Sequence, residues 1–417
     1  MVIEHESRLF GASGSRALAL RGVAQAYAWG KVGAASRIAS VVGAYDKAQP
    51  LAEYWIGSHP KGPSTLLMGD GTSVSLAEAL RDNASRLLGD EVAERYNNEL
   101  PFLLKILSIN PDCGLSIQAH PDKQRAAALH ARDPLNYPDP RHKPEVALPI
   151  TRVKLLYGFR PVAEIRAIFE RFPELSMLLD DELRSSFLTV MGADERAQSE
   201  LVKRLFCRLL TSSPADVARV VGTVKGREKL EGAGSEESVL VERLSRQYGD
   251  TDVGLVALFM MNLVTVEPGQ ALFIGPNIPH AYLDGDLVEC MACSDNVVRA
   301  GLTPKYRDVQ TLLEMLDYAP RPVTIIKPCM RDDGLLSVDT PAEEFRLAFL
   351  PEGSDRARIV SGRGAMVILS LGREAVLQHA DSAQRLVLPD GGAALVPPES
   401  GEYLLERSHA AVFVVSA

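Results

Sequence analysis

Two short runs, separated by about a third of the chain, carry side chains able to hold a metal ion. The first is Gly114-Leu115-Ser116-Ile117-Gln118-Ala119-His120-Pro121-Asp122-Lys123, followed by His142-Lys143-Pro144-Glu145. The second is Pro276-Asn277-Ile278-Pro279-His280-Ala281-Tyr282. Gln118 and His120 are two residues apart, so on an extended strand their side chains share one face. Glu145 and His280 can complete a set of one amide oxygen, two imidazoles and one carboxylate. That mixture suits a borderline divalent ion, zinc first, one per chain, with room left for water or substrate. Taken alone, a Gln-x-His pair could equally be the polar face of a half-exposed strand.

These residues need elements to position them. Ala17–Val23, Ala52–Ser58 and Ser64–Met68 read as short strands broken by Gly and Pro. Ser75–Leu88 has helical spacing. Leu103–Ser108 and Leu115–His120 are strand candidates on either side of an Asn-Pro-Asp-Cys-Gly turn. Prolines 134, 138, 140 and 144 exclude regular structure from the segment before Glu145, and so long a loop in a compact protein usually belongs to a site. Helix-period apolar residues then recur over Val162–Phe172, Gln198–Thr211, Pro214–Val224 and Glu236–Gly249. Ala271–Gly275 is a short strand delivering His280, residues 284–300 read as strand and turn, and Tyr306–Leu316 reads as a helix. The tail carries short β-runs, among them Ala365–Leu371, Gln384–Leu388, Ala393–Val396 and Ala411–Val415. The pattern predicts a mainly β protein, a sandwich or barrel interrupted by a helical insertion and followed by a second small β-domain.

The chain's 417 residues allow two or three domains with well-buried cores. A formal charge of −9 argues against a nucleic-acid or anionic-membrane surface. Five cysteines do not form a disulfide framework, and Cys290-x-x-Cys293, lacking a second pair, reads as buried thiols. Met1 to Arg16 lacks the apolar core of a signal peptide, and no run of about 18 apolar residues occurs elsewhere. A cytoplasmic protein is expected.

Longer motifs surround the metal set. They include Tyr27-Ala28-Trp29-Gly30, Ala52-Glu53-Tyr54-Trp55-Ile56-Gly57-Ser58-His59-Pro60, Leu100-Pro101-Phe102-Leu103-Leu104-Lys105 and Asn136-Tyr137-Pro138-Asp139-Pro140-Arg141-His142-Lys143-Pro144-Glu145. Tyr157-Gly158-Phe159-Arg160-Pro161 follows. The longest runs from Glu289-Cys290-Met291-Ala292-Cys293-Ser294-Asp295-Asn296 to Val297-Val298-Arg299-Ala300-Gly301-Leu302-Thr303-Pro304-Lys305. Over most of its first 320 residues the chain resembles the type I phosphomannose isomerase family. Arg141 stands where that family usually has Asn, and no diagnostic motif occurs past residue 325.

The resemblance implies a cupin-type β-barrel (jelly roll) with an inserted helical domain and a second, C-terminal cupin-like barrel. The expected limits are 1–160 with 251–324 for the catalytic β-domain, 161–250 for the insertion and 325–417 for the last domain. It implies zinc on Gln118, His120, Glu145 and His280, a sugar-phosphate substrate, and interconversion of mannose 6-phosphate and fructose 6-phosphate through a cis-enediol. A monomer is expected.

Such a reaction needs a Lewis acid at the oxygens, a base at carbon and cations for the phosphate. Lys143, two residues before Glu145, should project near the metal, which favours its neutral form and proton transfer. Its bland alternative is a solvated loop charge. His142 is a second candidate for the proton, and Glu289 could orient or accept one. Arg299 follows an apolar Val297-Val298 pair and is costly to bury unless paired. Asp295 or Glu289 could pair with it. The resemblance implies instead that it faces the substrate, stabilising enediolate or phosphate. Ser116, of the same parity as Gln118, joins Lys105 and Lys305 as the groups expected at phosphate, while Lys123 is expected at the surface. Two other classes fit part of this pattern: a two-His-one-carboxylate iron oxygenase, and a non-catalytic sugar-phosphate sensor.

Overall fold

A computed structural model describes residues 16–43, 45–189, 194–231, 234–350, 354–407 and 411–417. The reading of the first sixteen residues therefore falls, except for Arg16, outside the described residues. The architecture is a mixed one of antiparallel sheets with a helical middle region.

Six strands of a ten-stranded sheet matter most for function. They are β1 (Glu53–Ile56), β2 (Phe102–Ile109), β3 (Ile117–Ala119), β4 (Glu145–Pro149), β5 (His280–Ala292) and β6 (Val298–Gly301). All eight residues of β2 are buried, which explains its near-continuous apolar run. Both faces are covered, so alternation is lost. Lys105 and Ser108 are its polar exceptions.

Even-numbered residues of this sheet, Tyr54, Ile56, Leu104, Ile106, Val146, Val288 and Cys290, enter one apolar core. That core also holds Val367, Leu395 and Val415 of a nine-stranded second sheet. The second sheet is built mainly from the tail, but it takes in Leu18–Arg21, Thr65–Leu67 and Ser73–Ser75 as well. Leu18 lies opposite Leu395. The first strands of the chain thus belong to the sheet of the last. A smaller four-stranded sheet (Arg356–Val360, Ala375–His379, Arg385–Leu388 and Glu402–Arg407) closes a separate apolar core with the tail.

The helical region comprises Val162–Arg171, Asp181–Thr189, Glu195–Leu210, Pro214–Glu231 and Glu236–Tyr248. Asp194 and Ser235 cap two of these helices with side-chain oxygens. Buried residues at helical spacing, such as Leu201, Val202, Leu205, Phe206 and Leu209, form the largest core. Ile117, Ala119, Ala281 and Val298 belong to it. One face of β3, β5 and β6 is therefore committed to the helices, which leaves the other for chemistry.

Two expected boundaries shift. His280 is not handed over by the preceding short strand (Leu272–Ile274) but is itself the first residue of β5. The helix expected from Tyr306 starts at Val309, because Asp308 accepts the Thr311 N–H and acts as its N-cap. Among the described residues no helix is long and apolar enough to cross a membrane.

Candidate metal centre and its cavity

Strands β6, β3 and β5 lie side by side, with Arg299 opposite Gln118 and Gln118 opposite His280. Directly opposed residues of antiparallel strands share a face. The three side chains therefore line one wall, away from the helical core. On the far half of β5, Glu289 opposes Ala147 of β4 and Lys105 of β2, and Lys105 opposes Trp55 of β1. Glu145 opposes Met291. The two walls enclose a cavity of about 840 Å³.

A single strand serves both walls because it changes partners midway. Residues 280–284 of β5 pair with the strand Val153–Phe159, and residues 285–292 pair with β2. Leu283 is an extra residue at the junction, where the register slips between Tyr282 and Asp284. Gly285 follows at φ +108°, with no room for a Cβ, which would lie 2.6 Å from the Arg152 carbonyl oxygen.

At the floor, His120, Glu145 and His280 bring one ligand atom each within 4.8 Å of one another, all buried. His120 Nε2 lies 3.2 Å from Glu145 Oε1, and His280 Nε2 lies 3.5 Å from Glu145 Oε2. The Nδ1 of His120 is 2.7 Å from the Asn296 carbonyl oxygen, and that of His280 is 3.0 Å from the Ile278 carbonyl oxygen. A carbonyl only accepts, so each ring carries its proton on Nδ1 and presents a lone pair at Nε2. Both Nε2 atoms and Glu145 Oε2 are buried without a hydrogen-bond partner. Each such orphan costs about 1–3 kcal/mol. Three electron pairs aimed at one point, with no donor among them, fit a divalent cation. Burial lowers the His120 pKa to about 4, which keeps the ring neutral as a ligand must be. Burial alone would raise the Glu145 carboxyl, but Lys143 and His120 outweigh it and hold it well below the usual range. Gln118, beside His280 in the ladder, also lines the cavity and accepts a hydrogen bond from Ser116 Oγ at 3.2 Å.

Lys143 Nζ is 2.8 Å from Glu145 Oε1, next to the ligand atoms. Higher on the wall, Lys105 Nζ sits between Glu289 (3.4 Å) and Glu53 (3.6 Å), over the Trp55 ring at 5.3 Å. The Trp55 indole N–H donates to Glu53. Burial works against the Lys105 ammonium, but Glu53, Glu289 and Glu145 together raise its pKa. Burial raises the Glu289 carboxyl, and Glu145 pushes it further in the same direction.

Arg299 and Lys305 line the same cavity. Neither has an ion-pair partner among the described residues. Asp295 instead binds Lys61 at 2.7 Å, with His59 at 3.4 Å, and Glu289 faces Lys105. Burial lowers the pKa of Arg299, and burial together with Arg299 lowers that of Lys305. Two cations in one cavity, neither paired with a carboxylate among the described residues, make an anion site.

Of the residues expected here, Gln118, Glu145, Lys143, Glu289, Arg299, Ser116, Lys105 and Lys305 line the cavity, and His120 and His280 lie beneath it. His142 does not line it: Nε2 faces Glu344 Oε1 at 2.7 Å. Lys123 is exposed and pairs with Glu343, and both cysteines of the Cys-x-x-Cys run are buried free thiols. Sequence reasoning passed over Glu53, Trp55 and Tyr282. A Glu inside a strand of otherwise apolar residues was the available signal, since carboxylates are seldom buried without a purpose. Tyr282 is buried and near enough to Glu289 and Glu145 for burial and both carboxylates to raise its pKa.

The family described as "Phosphomannose isomerase type I, catalytic domain" matches residues 17–162. The mannose-6-phosphate isomerase of Rattus norvegicus is 36% identical over 408 residues, covering 94% of this chain and 92% of its own length. That of Homo sapiens is 35% identical over 389 residues, covering 89% and 91%. An alanine-substituted phosphomannose isomerase from Salmonella typhimurium superposes with a TM-score of 0.83 at 28% identity, over 96% of this chain and 100% of that one. A zinc-bound mannose 6-phosphate isomerase superposes with a TM-score of 0.82 at 29% identity, over the same shares. With a cavity that joins a buried His-Glu-His set to unpaired cations, and with relatives aligned along nearly its whole length, this chain belongs to the type I phosphomannose isomerase family.

Proposed function

We infer that this protein is a mannose-6-phosphate isomerase that interconverts mannose 6-phosphate and fructose 6-phosphate with one zinc ion per chain. The observation that carries this reading is the convergence of three buried, unsatisfied acceptor atoms on His120, Glu145 and His280 under a cavity with unpaired cations. Gln118 would add the fourth ligand. When bound, zinc supplies Lewis-acid stabilisation of negative charge on the sugar oxygens.

The chain's own groups do the rest. Lys305 and Ser116 receive the anionic end of the open-chain sugar phosphate, and Lys105, already matched by Glu53 and Glu289, serves the sugar hydroxyls. Lys143 Nζ moves the proton between C2 and C1 through a cis-enediol. Glu289, buried on the cavity wall, exchanges a proton with a sugar oxygen. Arg299 remains positioned to stabilise the enediolate as charge develops.

The same reading extends to architecture and setting. A cupin-type barrel and a second, C-terminal cupin-like barrel are proposed, with 1–160 and 251–324 as the catalytic unit, 161–250 as the insertion and 325–417 as the C-terminal unit, to whose sheet Leu18–Arg21, Thr65–Leu67 and Ser73–Ser75 are added. A monomeric, cytoplasmic enzyme is proposed. The test is a coupled assay for fructose 6-phosphate on purified protein whose metal content is measured. Turnover of mannose 6-phosphate with one zinc per chain is the expected result. Zinc-loaded protein without turnover would leave only a sugar-phosphate sensor, and bound iron with oxygen consumption would indicate an oxygenase.

A further inference from the structure

The loop from Asp133 to Pro144 has no helix or strand to hold it, yet it must present Lys143 to the floor of the cavity. Its middle is secured from one side. Asn296 Nδ2 donates to the carbonyl oxygens of Asp139 (2.6 Å) and Arg141 (2.8 Å), and Ser294 Oγ donates to that of Arg141 (3.1 Å). Its end is secured by the Ala292 N–H, which donates to the Pro144 carbonyl oxygen at 3.0 Å. Between these anchors lie His142 and Lys143. Neither makes a backbone hydrogen bond to another described residue. The position of this dipeptide therefore depends on its side chains.

Lys143 reaches Glu145, and His142 reaches the other way, to Glu344 at 2.7 Å. Glu344 comes from the C-terminal part of the chain, about 200 residues on. It is itself buried, and its neighbours Ala342 and Phe345 are embedded in the core that Val146 and Cys290 share. Its second oxygen accepts the Glu343 N–H at 3.2 Å. A carboxylate held in this way is a fixed point, and His142 is clamped to it.

We propose that Glu344 is a positioning residue for catalysis: through its bond to His142 it sets where Lys143 Nζ stands. This rests on the role given to Lys143 above. It also gives His142 a task other than carrying the proton, and gives the C-terminal part of the chain a share in the reaction. Misplacing a catalytic group by about 1 Å can cost on the order of 100-fold in rate. A loosened but still tethered loop should cost less.

The experiment compares Glu344→Ala, Glu344→Gln, His142→Ala and Lys143→Ala, each in purified, zinc-analysed protein, with turnover, KM for mannose 6-phosphate and thermal unfolding measured together. Glu344→Ala and His142→Ala should each lower kcat by roughly 10-fold, with KM within about 2-fold and zinc retained, and their double variant should be no worse than either alone. Glu344→Gln keeps an oxygen for the His142 N–H and should recover kcat to within about 3-fold of the parent. In a Lys143→Ala background, Glu344→Ala should have no further effect on kcat, whereas a merely structural role would subtract its full cost again. Normal turnover in Glu344→Ala and His142→Ala, or an undiminished loss in the Lys143→Ala background, overturns the proposal. Normal turnover in Lys143→Ala overturns the reading on which it rests. A crippled Lys143→Ala beside normal Glu344→Ala and His142→Ala overturns the coupling alone. Should Glu344→Ala fail to fold, His142→Ala removes the same bond from its less buried end.

Discussion

The two β-rich regions each set a histidine beside a tyrosine, half-buried His379 in the tail and fully buried His280 in the other, and they treat it in opposite ways. In the tail, His379 packs edge-on against Tyr403 with ring centroids 5.0 Å apart. Its Nε2 lies 2.9 Å from the Ser400 carbonyl oxygen, and its Nδ1 accepts the Asp381 N–H at 3.0 Å. Both ring nitrogens are satisfied. In the ten-stranded sheet, His280 packs near Tyr282 and uses only Nδ1, while its Nε2 is left with His120 Nε2 and a Glu145 oxygen as a trio of unmatched acceptors. The cores around the two histidines differ in the same sense. In the tail sheets the buried Ser370 and Ser400 are uncharged and each donates to a backbone carbonyl oxygen, whereas the cavity wall interrupts its apolar rows with the charged Glu53, Lys105 and Glu289. A polar group whose bonds are complete stabilises a fold, and one whose bonds are incomplete is kept for a ligand.

The sharpest way to break this contrast is to remove the metal. Chelation, or His280→Ala, should abolish both bound zinc and isomerase activity, read by elemental analysis and the coupled assay, with activity returning to the chelated parent on adding zinc. Next in size, Arg299→Ala should lower kcat/KM by about 100- to 1,000-fold while zinc stays bound, since it removes an electrostatic stabiliser from a secluded site. Normal kinetics in that variant would make Arg299 a structural cation only. Lys143→Ala should lower turnover by about 100-fold, the usual contribution of a positioned acid–base group. In deuterated water the parent enzyme should place solvent deuterium at C1 or C2 of the product, whereas full retention of substrate hydrogen over many turnovers would favour a hydride shift.

A smaller effect concerns stability where the tail meets the rest of the chain. Asp390 accepts two bonds from Arg37, at 2.6 and 3.1 Å, and the Gly372 N–H at 2.7 Å. Burial alone would raise its carboxyl, but these donors hold the pKa below the ordinary value. A depressed carboxylate adds stability that is present above its unfolded pKa, about 3.9, and is lost as pH falls through its folded value. Asp390→Asn should therefore melt at lower temperature than the parent near pH 7, and the gap should narrow as the pH falls below about 4. The smallest effect expected is that of His379→Ala, which should change neither zinc content nor turnover. Lost metal or activity there would erase the distinction between the two histidines.

Much of the candidate site was legible before any fold was known. The ligand types in Gln118, His120, Glu145 and His280, the proline-studded loop before Glu145 and the helix-period block after residue 161 are local properties. They follow from side-chain chemistry, from fixed proline φ and from apolar spacing, none of which needs a distant partner. Parity carried Ser116, Gln118 and His120 to one face for the same reason. Glu344 was not legible, because a carboxylate in a turn looks solvated until the residues that bury it are known.

The sequence by itself determined which atoms could bind a divalent ion and where the helical block and the main strands would fall, though not the helices Arg37–Val42 and Lys123–Arg132. Only the tertiary structure decided which of these atoms meet. His280 and Glu289 are nine residues apart on one strand, and strict alternation would turn them to opposite faces. They face the same site, Glu289 on the cavity wall and His280 beneath it, because Leu283 is an extra residue and Gly285 lets the strand bend as it changes partners. The tertiary structure likewise placed Lys105 between two carboxylates, left Arg299 without one, and turned His142 away from the cavity toward Glu344. Local sequence sets conformational preference and chemical type, but pairing between strands and charges separated by 50 to 200 residues is a property of packing alone.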